Sequence, residues 1–189
     1  IHDKKFIPTA LFAKPMMLSY LSHLQCSGCG REYTHTEIHT FCLDCQSPLL
    51  AIYDLEHARQ HVDREEISRR RKGMWRWSEL LPVLNVENQI FLGEGDTPLL
   101  SLPHLEKELG LSHLYVKDES SNPTGSFKAR GLAAAVSKAK ELGVEKVIIP
   151  TAGNAGGAMA AYAARAGLKA YIFMPKDTPF ANIQESRMA

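Results

Sequence analysis

The sequence predicts an α/β protein in which a parallel sheet, covered by helices on both faces, follows a small cysteine-rich module. Four cysteines fall in two C-x-x-C pairs near the start of the chain and nowhere else. From residue 91 onward, short apolar strands alternate with helical segments, which is the pattern of βαβ units. Two connecting loops are rich in glycine and polar residues, as loops at the carboxyl ends of such strands often are when they bind ligands.

Composition and charge restrict the classes of function. The 189 residues are 44% hydrophobic and 23% charged, and 22 basic against 21 acidic residues leave a net charge of +1. This balance gives no reason to expect a nucleic-acid partner. No apolar run reaches the ~18 residues that span a bilayer, and the first residues lack a secretory signal, so we expect a cytoplasmic protein with no membrane partner.

The sequence divides into four segments. We expect a disordered upstream leader over residues 1–17, a zinc-ribbon-like module over 18–52, a helical linker over 53–90, and an incomplete α/β domain over 91–189. The chain opens with Ile and ends within a helical pattern that has no cap, so we expect a fragment of a longer protein.

The cysteine spacing predicts a structural metal site. Cys26 and Cys29 are separated by twelve residues from Cys42 and Cys45, which is the spacing of a zinc ribbon. Gly30 allows a turn whose amides face the sulfurs. Four thiolates would close the shell of a zinc ion and leave no position for catalysis. Two disulfides or four free thiols are the alternatives.

Several nearby residues have ordinary explanations. His35 and His39 are expected on exposed strands of the ribbon, and not as replacements for a thiolate. The basic run 69–72 suits the C-terminal end of a solvated helix, although it also admits a nucleic-acid interpretation. Trp75 and Trp77 are expected to pin the linker against the larger domain.

The second half of the chain predicts a regular series of elements. We expect a short helix at HLEKELG, a strand at LYVKDES, a helix over 127–142 and a strand over 145–150. A loop over 151–158 then leads to the helix AMAAYAARA, a strand over 169–175 and a helix that starts after Asp177.

The stretch SNPTGSFKAR places Lys128 in the first turn of a predicted helix. A lysine that attacks an aldehyde must be neutral part of the time, and the positive end of a helix disfavours its ammonium form. Gly125 lets the turn close, Ser126 can cap the helix, and Phe127 can shield one side of the amine. The alternative is an ordinary lysine on an exposed first turn.

Three motifs in order resemble the fold type II pyridoxal-phosphate enzymes, which are built like the tryptophan synthase beta subunit. These motifs are GEGDTPLL, SNPTGSFKAR and TAGNAGGA, and within the family they are most similar to the threonine synthase branch. The resemblance covers about residues 20–189, so it includes the cysteine-bearing module.

The resemblance implies a role for each matching residue. Lys128 would hold pyridoxal 5'-phosphate covalently and then act as the general base, beside Phe127, and Asn154 would hydrogen-bond the cofactor's ring hydroxyl. The substrate carboxylate would be bound by the loop residues Thr151, Ala152, Gly153 and Ala155. Ala152 and Ala155 lack the hydroxyl that some relatives have there, and a loop with packing duties alone is the alternative.

The implied activity is the conversion of O-phospho-L-homoserine and water into L-threonine and phosphate, by a homodimer when full length. Family members carry the cofactor's phosphate loop later in the chain, so we expect little activity from residues 1–189 alone. The alternatives within the family are a threonine or serine dehydratase, a cysteine synthase or a cysteate synthase. A zinc-ribbon nucleic-acid module on an inactive scaffold is the alternative from another class, but Arg31 is the only lysine or arginine within 26–45. The segment 94–98 either borders the substrate or forms a structural turn.

Overall fold

A computed structural model describes residues 19–189, and it confirms the α/β prediction. The predicted leader, residues 1–17, lies outside the described residues. Among residues 19–189, no helix is both long and apolar enough to cross a membrane. The elements form three small sheets: one in the cysteine module, one antiparallel pair and one parallel pair.

The cysteine module is a three-stranded antiparallel sheet. Its strands are β1 (Leu21–Cys26), β2 (Glu32–Tyr33) and β3 (Leu49–Tyr53), with β1 in the centre. Buried Cys26, Tyr33 and Cys42 form its core. A core of this size is too small to stabilise a module by burial alone, so the module needs a cross-link of another kind.

The segment after the cysteine module contains two short helices, α1 (Leu55–His61) and α2 (Arg64–Arg69). The Asp54 carboxylate accepts a hydrogen bond from the His57 amide at 2.9 Å, and Asp63 accepts one from the Glu65 amide at 2.9 Å. Each aspartate therefore caps a new helix, because its side chain satisfies an amide that lacks a partner within the helix. The helical segment is interrupted for this reason.

Two 3₁₀ segments, Met74–Leu80 and Val86–Asn88, complete the linker. Trp75 donates its indole N–H to the Ile90 carbonyl at 3.0 Å and packs against the main core. The expectation that Trp75 pins the linker is therefore confirmed. The same expectation was wrong for Trp77, which is 53% exposed.

The next two strands pair antiparallel, which the predicted parallel sheet did not include. They are β4 (Leu99–Ser101) and β5 (Tyr115–Lys117), and they are joined through α3 (Pro103–Leu109). The chain reverses after α3 at Gly110, which has a left-handed φ of 66°. The connection through α3 therefore brings the chain back antiparallel to β4 and does not make a parallel crossover.

The last part of the chain contains a parallel βαβ unit, as predicted. The unit consists of β6 (Lys146–Pro150), α5 (Asn154–Ala166) and β7 (Lys169–Phe173). Helix α4 (Lys128–Glu141) precedes it, and helix α6 (Phe180–Met188) follows it. Ile149 of β6 pairs with Ile172 of β7. Helices α4 and α5 pack against each other around Ala133, Val136 and Tyr162, all of which are fully buried.

Only one face of this parallel pair is covered within residues 19–189, so the second covered face stays a prediction for the complete sheet. Val147 and Ile149 pack against the core, whereas Ile148 is 66% exposed and Phe173 is 60% exposed. A right-handed crossover places its connecting helix on one face of the sheet. The single crossover between β6 and β7 therefore covers one face only.

The predicted loop over 151–158 is shorter than expected, because α5 already begins at Asn154. Two of its glycines lie against side chains of later segments. A Cβ on Gly156 would lie 2.9 Å from Met174 Cε and 3.0 Å from Ser186 Oγ, and one on Gly157 would meet the Glu185 carboxyl group. Because Glu185 and Ser186 belong to α6, these two glycines leave room for side chains of α6 beside α5.

Candidate active site and metal centre

A tight turn presents Lys128 to the start of α4. Residues 123–125 form a single 3₁₀ turn in which Thr124 and Gly125 both have a left-handed backbone, with φ of 61° and 64°. Glycine adopts this conformation freely, whereas for threonine it costs conformational free energy. Residues with such strained backbones are often found at functional sites. The Thr124 hydroxyl is buried and has no hydrogen-bond partner in the described chain.

The first turn of α4 holds the lysine as predicted. Ser126 is extended, and its hydroxyl accepts a hydrogen bond from the Lys128 amide at 3.3 Å, so it caps the helix. Phe127 lies beside the amine, with Lys128 Nζ 4.4 Å from the centre of its ring. Within residues 19–189, no carboxylate forms an ion pair with Lys128. In the described residues the amine therefore contacts an aromatic ring and is not neutralised by a carboxylate.

The carboxylate of Glu119 joins the segments around this turn. Arg130, two residues after Lys128, donates to Glu119 through Nε at 2.6 Å and through Nη2 at 2.8 Å. The Thr97 hydroxyl donates to Glu119 at 2.7 Å, and the Asn122 side chain donates at 2.8 Å. Asn122 in turn accepts from the Gly95 amide at 3.1 Å. The network ties residues 95–97 to the lysine turn and to the first turn of α4.

The Arg130 guanidinium, with Thr97 and Asn122, lowers the pKa of Glu119 to about 2, although partial burial acts against it. A carboxyl whose pKa is lower when folded stabilises the folded state above its usual pKa of 4.5, and this contribution is lost as the pH falls toward 2. Glu119 therefore stabilises the protein at neutral pH and contributes to its acid sensitivity.

We predict that Glu119→Gln lowers the free energy of unfolding at pH 7 by about 2 kcal/mol. Bonds to a charged group are worth about 1.5–3 kcal/mol each, and solvent screens this partly exposed pair. Urea unfolding of the complete gene product at several pH values measures the effect, with the exposed Glu108→Gln as the matched control. The variant should also lose less stability than the wild type below pH 4.5. Equal stability of both proteins at pH 7 would contradict the prediction.

The residues 94–98 act as a structural turn, which was one of the two expectations for them. Glu94 is fully buried, and Asp96 accepts a hydrogen bond from the Gly73 amide and pairs with Arg76 at 3.2 Å. A Cβ on Gly95 would lie 2.5 Å from the Met74 amide nitrogen. These contacts favour the structural interpretation.

Sequence reasoning missed the pair formed by Glu94 and Tyr162. The Tyr162 hydroxyl donates to Glu94 Oε2 at 2.7 Å, and the other oxygen of Glu94 has no partner among the described residues. Burial raises the pKa of Tyr162, and the neighbouring Glu94 raises it further. The pair joins the turn to the middle of α5. Residues 68 positions apart carry no local signal of such a contact.

The loop at the carboxyl end of β6 leads directly into α5. The Thr151 amide bonds the Phe173 carbonyl at 2.9 Å, and the Thr151 hydroxyl accepts from the Gly153 amide at 3.2 Å. No side chain caps α5, and the amides of Asn154 and Ala155 have no protein acceptor in the described part of the chain. Free amides at a helix start favour an anion.

The four cysteine sulfurs converge on one point. All four lie within 4.8 Å of one another, with Cys26 and Cys45 sulfurs 3.4 Å apart and Cys29 and Cys42 sulfurs 3.6 Å apart. Four sulfurs at the usual zinc distance of about 2.3 Å would stand about 3.8 Å apart. No disulfide joins them. The arrangement suits a tetrahedral metal ion.

Two further features of the cluster favour thiolates. The amides of Gly28 and Cys29 donate to the Cys26 sulfur at 3.3 and 3.4 Å, as outer partners of metal ligands do. The Tyr33 hydroxyl donates to the Cys42 sulfur at 3.2 Å and lowers the pKa of Cys42 to about 6. The pKa of Cys29 moves the other way: the Arg31 backbone lowers it, but the neighbouring Cys26 and Cys42 sulfurs outweigh this effect and raise it to about 12. The set therefore has the donor chemistry of a metal site.

His35 and His39 were expected on exposed strands of the ribbon, and this expectation is wrong. Both lie in the loop after β2, which ends at Tyr33 because the chain turns away to bring Cys42 into the core. His39 packs on the Tyr33 ring with 5.0 Å between centroids. Burial lowers the pKa of His35, and Lys138 of α4 lowers it further. Neither belongs to the four-sulfur cluster in the described residues.

The residues present fit the cofactor that the resemblance implies. Lys128 offers an unpaired primary amine on a rigid turn, which is the group that condenses with an aldehyde. The start of α5 offers free amides for an anion. The lysine turn and α4 both pack against α5, although no hydrogen bond joins Lys128 to Asn154 among residues 19–189.

Comparisons with known proteins agree with this fit. Residues 90–189 match the family model described as pyridoxal-phosphate dependent enzyme. The chain is 44% identical over 152 residues to a threonine synthase of Methanocaldococcus jannaschii, an alignment that covers 80% of this chain and 37% of the relative. It is 38% identical to a threonine synthase of Methanosarcina acetivorans, with 81% and 37% covered. A threonine synthase of Halalkalibacterium halodurans is 49% identical over 100 residues, with 53% and 28% covered.

The chain thus spans between 28% and 37% of the length of these curated relatives. The first two alignments cover 152 and 153 residues, which is more than residues 53–189 contain, so they must include part of the cysteine-bearing module. Similarity to these two relatives is therefore not limited to the α/β domain.

Proposed function

The chain belongs to the pyridoxal-phosphate-dependent enzyme family, and on this basis we propose that the complete gene product is a threonine synthase. It would convert O-phospho-L-homoserine and water into L-threonine and phosphate, which makes it a carbon–oxygen lyase acting on a phosphate. The reaction class rests on one observation above all: the unpaired amine of Lys128 at the start of α4. The choice of substrate rests on the relatives named threonine synthase.

Lys128 would hold the cofactor and move protons. The bound cofactor supplies an electron sink for the negative charge that develops on the substrate carbons. The Lys128 amine, when it is not bonded to the cofactor, would take the proton from the substrate α-carbon and return protons in later steps. The capped first turn of α4 and the Arg130–Glu119 pair keep the amine in place while it does so.

The start of α5 would bind the substrate carboxylate. Thr151, Ala152, Gly153 and Ala155 provide amides and one hydroxyl there, and the free amides and the positive end of the helix favour an anion. Asn154 would hydrogen-bond the cofactor's ring hydroxyl, and Phe127 would exclude water from one side of Lys128. Because Ala152 and Ala155 carry no hydroxyl, carboxylate binding would depend on the amides.

The four cysteines would hold a structural zinc ion. The sulfur separations of 3.4 and 3.6 Å and the amide donors to Cys26 support this proposal. All four positions of the ion would be filled by sulfur, so it would stabilise the module and take no part in the reaction. Reduced thiols of this kind also support the expectation of a cytoplasmic protein. The homodimer stays a prediction.

The proposal predicts that the complete gene product releases phosphate from O-phospho-L-homoserine and forms an equal amount of threonine. A phosphate assay combined with amino-acid analysis measures both products. The matched control is the same protein with serine or threonine as the substrate. Pyruvate or 2-oxobutyrate from these amino acids, without phosphate release, would show a dehydratase instead. Salt-sensitive nucleic-acid binding without any turnover would favour the interaction module.

A further inference from the structure

A cleft lined by basic side chains lies at the end of α4 that is remote from Lys128. It consists of two adjoining concavities of about 340 and 350 Å³, which share Arg71, Gln89 and Phe91. No acidic side chain of residues 19–189 lines either concavity. We call this surface the basic cleft, and its six basic residues are Arg70, Arg71, Lys72, Arg76, Lys140 and Arg165.

Chain segments far apart in sequence bring these charges together. Arg71 follows α2, Lys140 lies in the last turn of α4, and Arg165 lies in the last turn of α5. Two of the six basic residues form ion pairs, because Arg70 pairs with Glu66 and Glu79 and Arg76 pairs with Asp96. The other four form no ion pair within residues 19–189, whereas the net charge of the whole chain is only +1.

Several hydrogen-bond donors of the cleft are not used by other residues of the described chain. The Arg71 guanidinium lies over the Phe91 ring at 4.9 Å from its centre, so one face is covered and the N–H groups on its edge stay available. Lys140 uses one of its three donors on the Glu87 carbonyl at 2.9 Å. Within residues 19–189, neither Arg71 nor Arg165 forms an ion pair.

Helix dipoles explain only part of this arrangement. A cation in the last turn of a helix is favoured by the partial negative charge there, which accounts for Lys140 in α4 and Arg165 in α5. It does not account for Arg71, which belongs to neither helix and stacks on an aromatic ring beside them. The convergence around a concave surface requires a further explanation.

We propose that the basic cleft is a second binding site, which takes a small anion that carries a phosphoryl group. A phosphoryl group carries close to two negative charges and three acceptor oxygens, which suits the Arg71 fork together with Lys140 and Arg165. The concavities have the size of small-molecule sites. A nucleic-acid strand would instead need an extended basic track.

This site is separate from the candidate active site. Lys140 lies twelve residues after Lys128 on the same helix, which places the two ends of α4 about 18 Å apart. None of the residues proposed to hold cofactor or substrate lines the cleft. The proposal therefore does not depend on the identity of the reaction.

Inorganic phosphate is the probe for this site in the complete gene product. Isothermal titration at constant ionic strength should show a phosphate site whose affinity falls about tenfold or more in Arg71→Gln and in Arg165→Gln, since each removes a charge-assisted hydrogen bond. The control is Arg69→Gln, in the same basic run but outside the cleft, which should bind within about twofold of the wild type. Circular dichroism verifies that each variant is folded.

Three results would overturn the proposal. The first is that the wild type binds no phosphate, or binds it only at a site whose affinity is unchanged in both Arg71→Gln and Arg165→Gln. The second is an equal loss of affinity in Arg69→Gln, which would indicate general surface charge. The third is tight, salt-sensitive binding of single-stranded RNA that Arg71→Gln abolishes, because it would make the cleft part of a nucleic-acid surface.

Discussion

Lys128→Ala should leave the complete gene product without a covalently held cofactor and with activity lowered by at least about 10³-fold, on the scale of a lost general acid–base group. The reason is local. The Ser126 cap and the Pro123–Gly125 turn fix the position of this amine, and no carboxylate within residues 19–189 neutralises it. Neither an alanine side chain nor a water molecule can condense with the aldehyde and then return a proton from the same place.

Borohydride reduction followed by peptide mapping separates this role from a structural one. The wild type should carry the reduced cofactor on Lys128, and Lys128→Ala should carry none. Lys128→Arg keeps the charge but not the nucleophile, because guanidinium stays protonated, so it should fail in the same way. The exposed Lys107→Ala is the matched control and should be labelled as the wild type is. A label on another lysine in the wild type would disprove the assignment.

The local features of the lysine turn were predictable from sequence because they depend on neighbouring residues. Gly125 is left-handed, Ser126 caps α4, and the helix runs from Lys128 to Glu141 much as its small-residue pattern predicts. The same holds for the strand–helix–strand series from β6 to β7. Such features follow from periodicity and turn chemistry.

The features that sequence did not predict depend on contacts between distant segments. Glu119 binds Thr97 on one side and Arg130 on the other, and Glu94 meets Tyr162 in the interior. The start of α5 at Asn154 was missed for a related reason. Glycines usually mark turns, but Gly156 and Gly157 lie inside α5 and leave room for side chains of α6. Local patterns cannot distinguish these two uses of glycine.

A second substitution with a large expected effect lies in the cysteine module. Cys42→Ser should abolish stoichiometric zinc binding, with a loss of affinity beyond the roughly 10- to 100-fold typical of a lost outer partner. Cys42 is fully buried and accepts from the Tyr33 hydroxyl, so its loss removes both a ligand and part of the small core. Because zinc binding contributes directly to folding in modules of this size, residues 19–53 should lose protection from hydrogen exchange.

His39→Ala is the matched control for this variant. His39 lies against Tyr33 beside the cluster but is not one of its four ligands, so zinc content should stay at one per chain. Borohydride labelling of Lys128 should persist in Cys42→Ser, because a closed four-sulfur shell offers no position to substrate. Zinc retained in Cys42→Ser, or two disulfides and no zinc in the wild type, would contradict a metal centre. Loss of the label would instead mean that the module is needed to build the active site, through contacts such as the one from the Tyr20 amide to the Glu79 carbonyl at 2.9 Å.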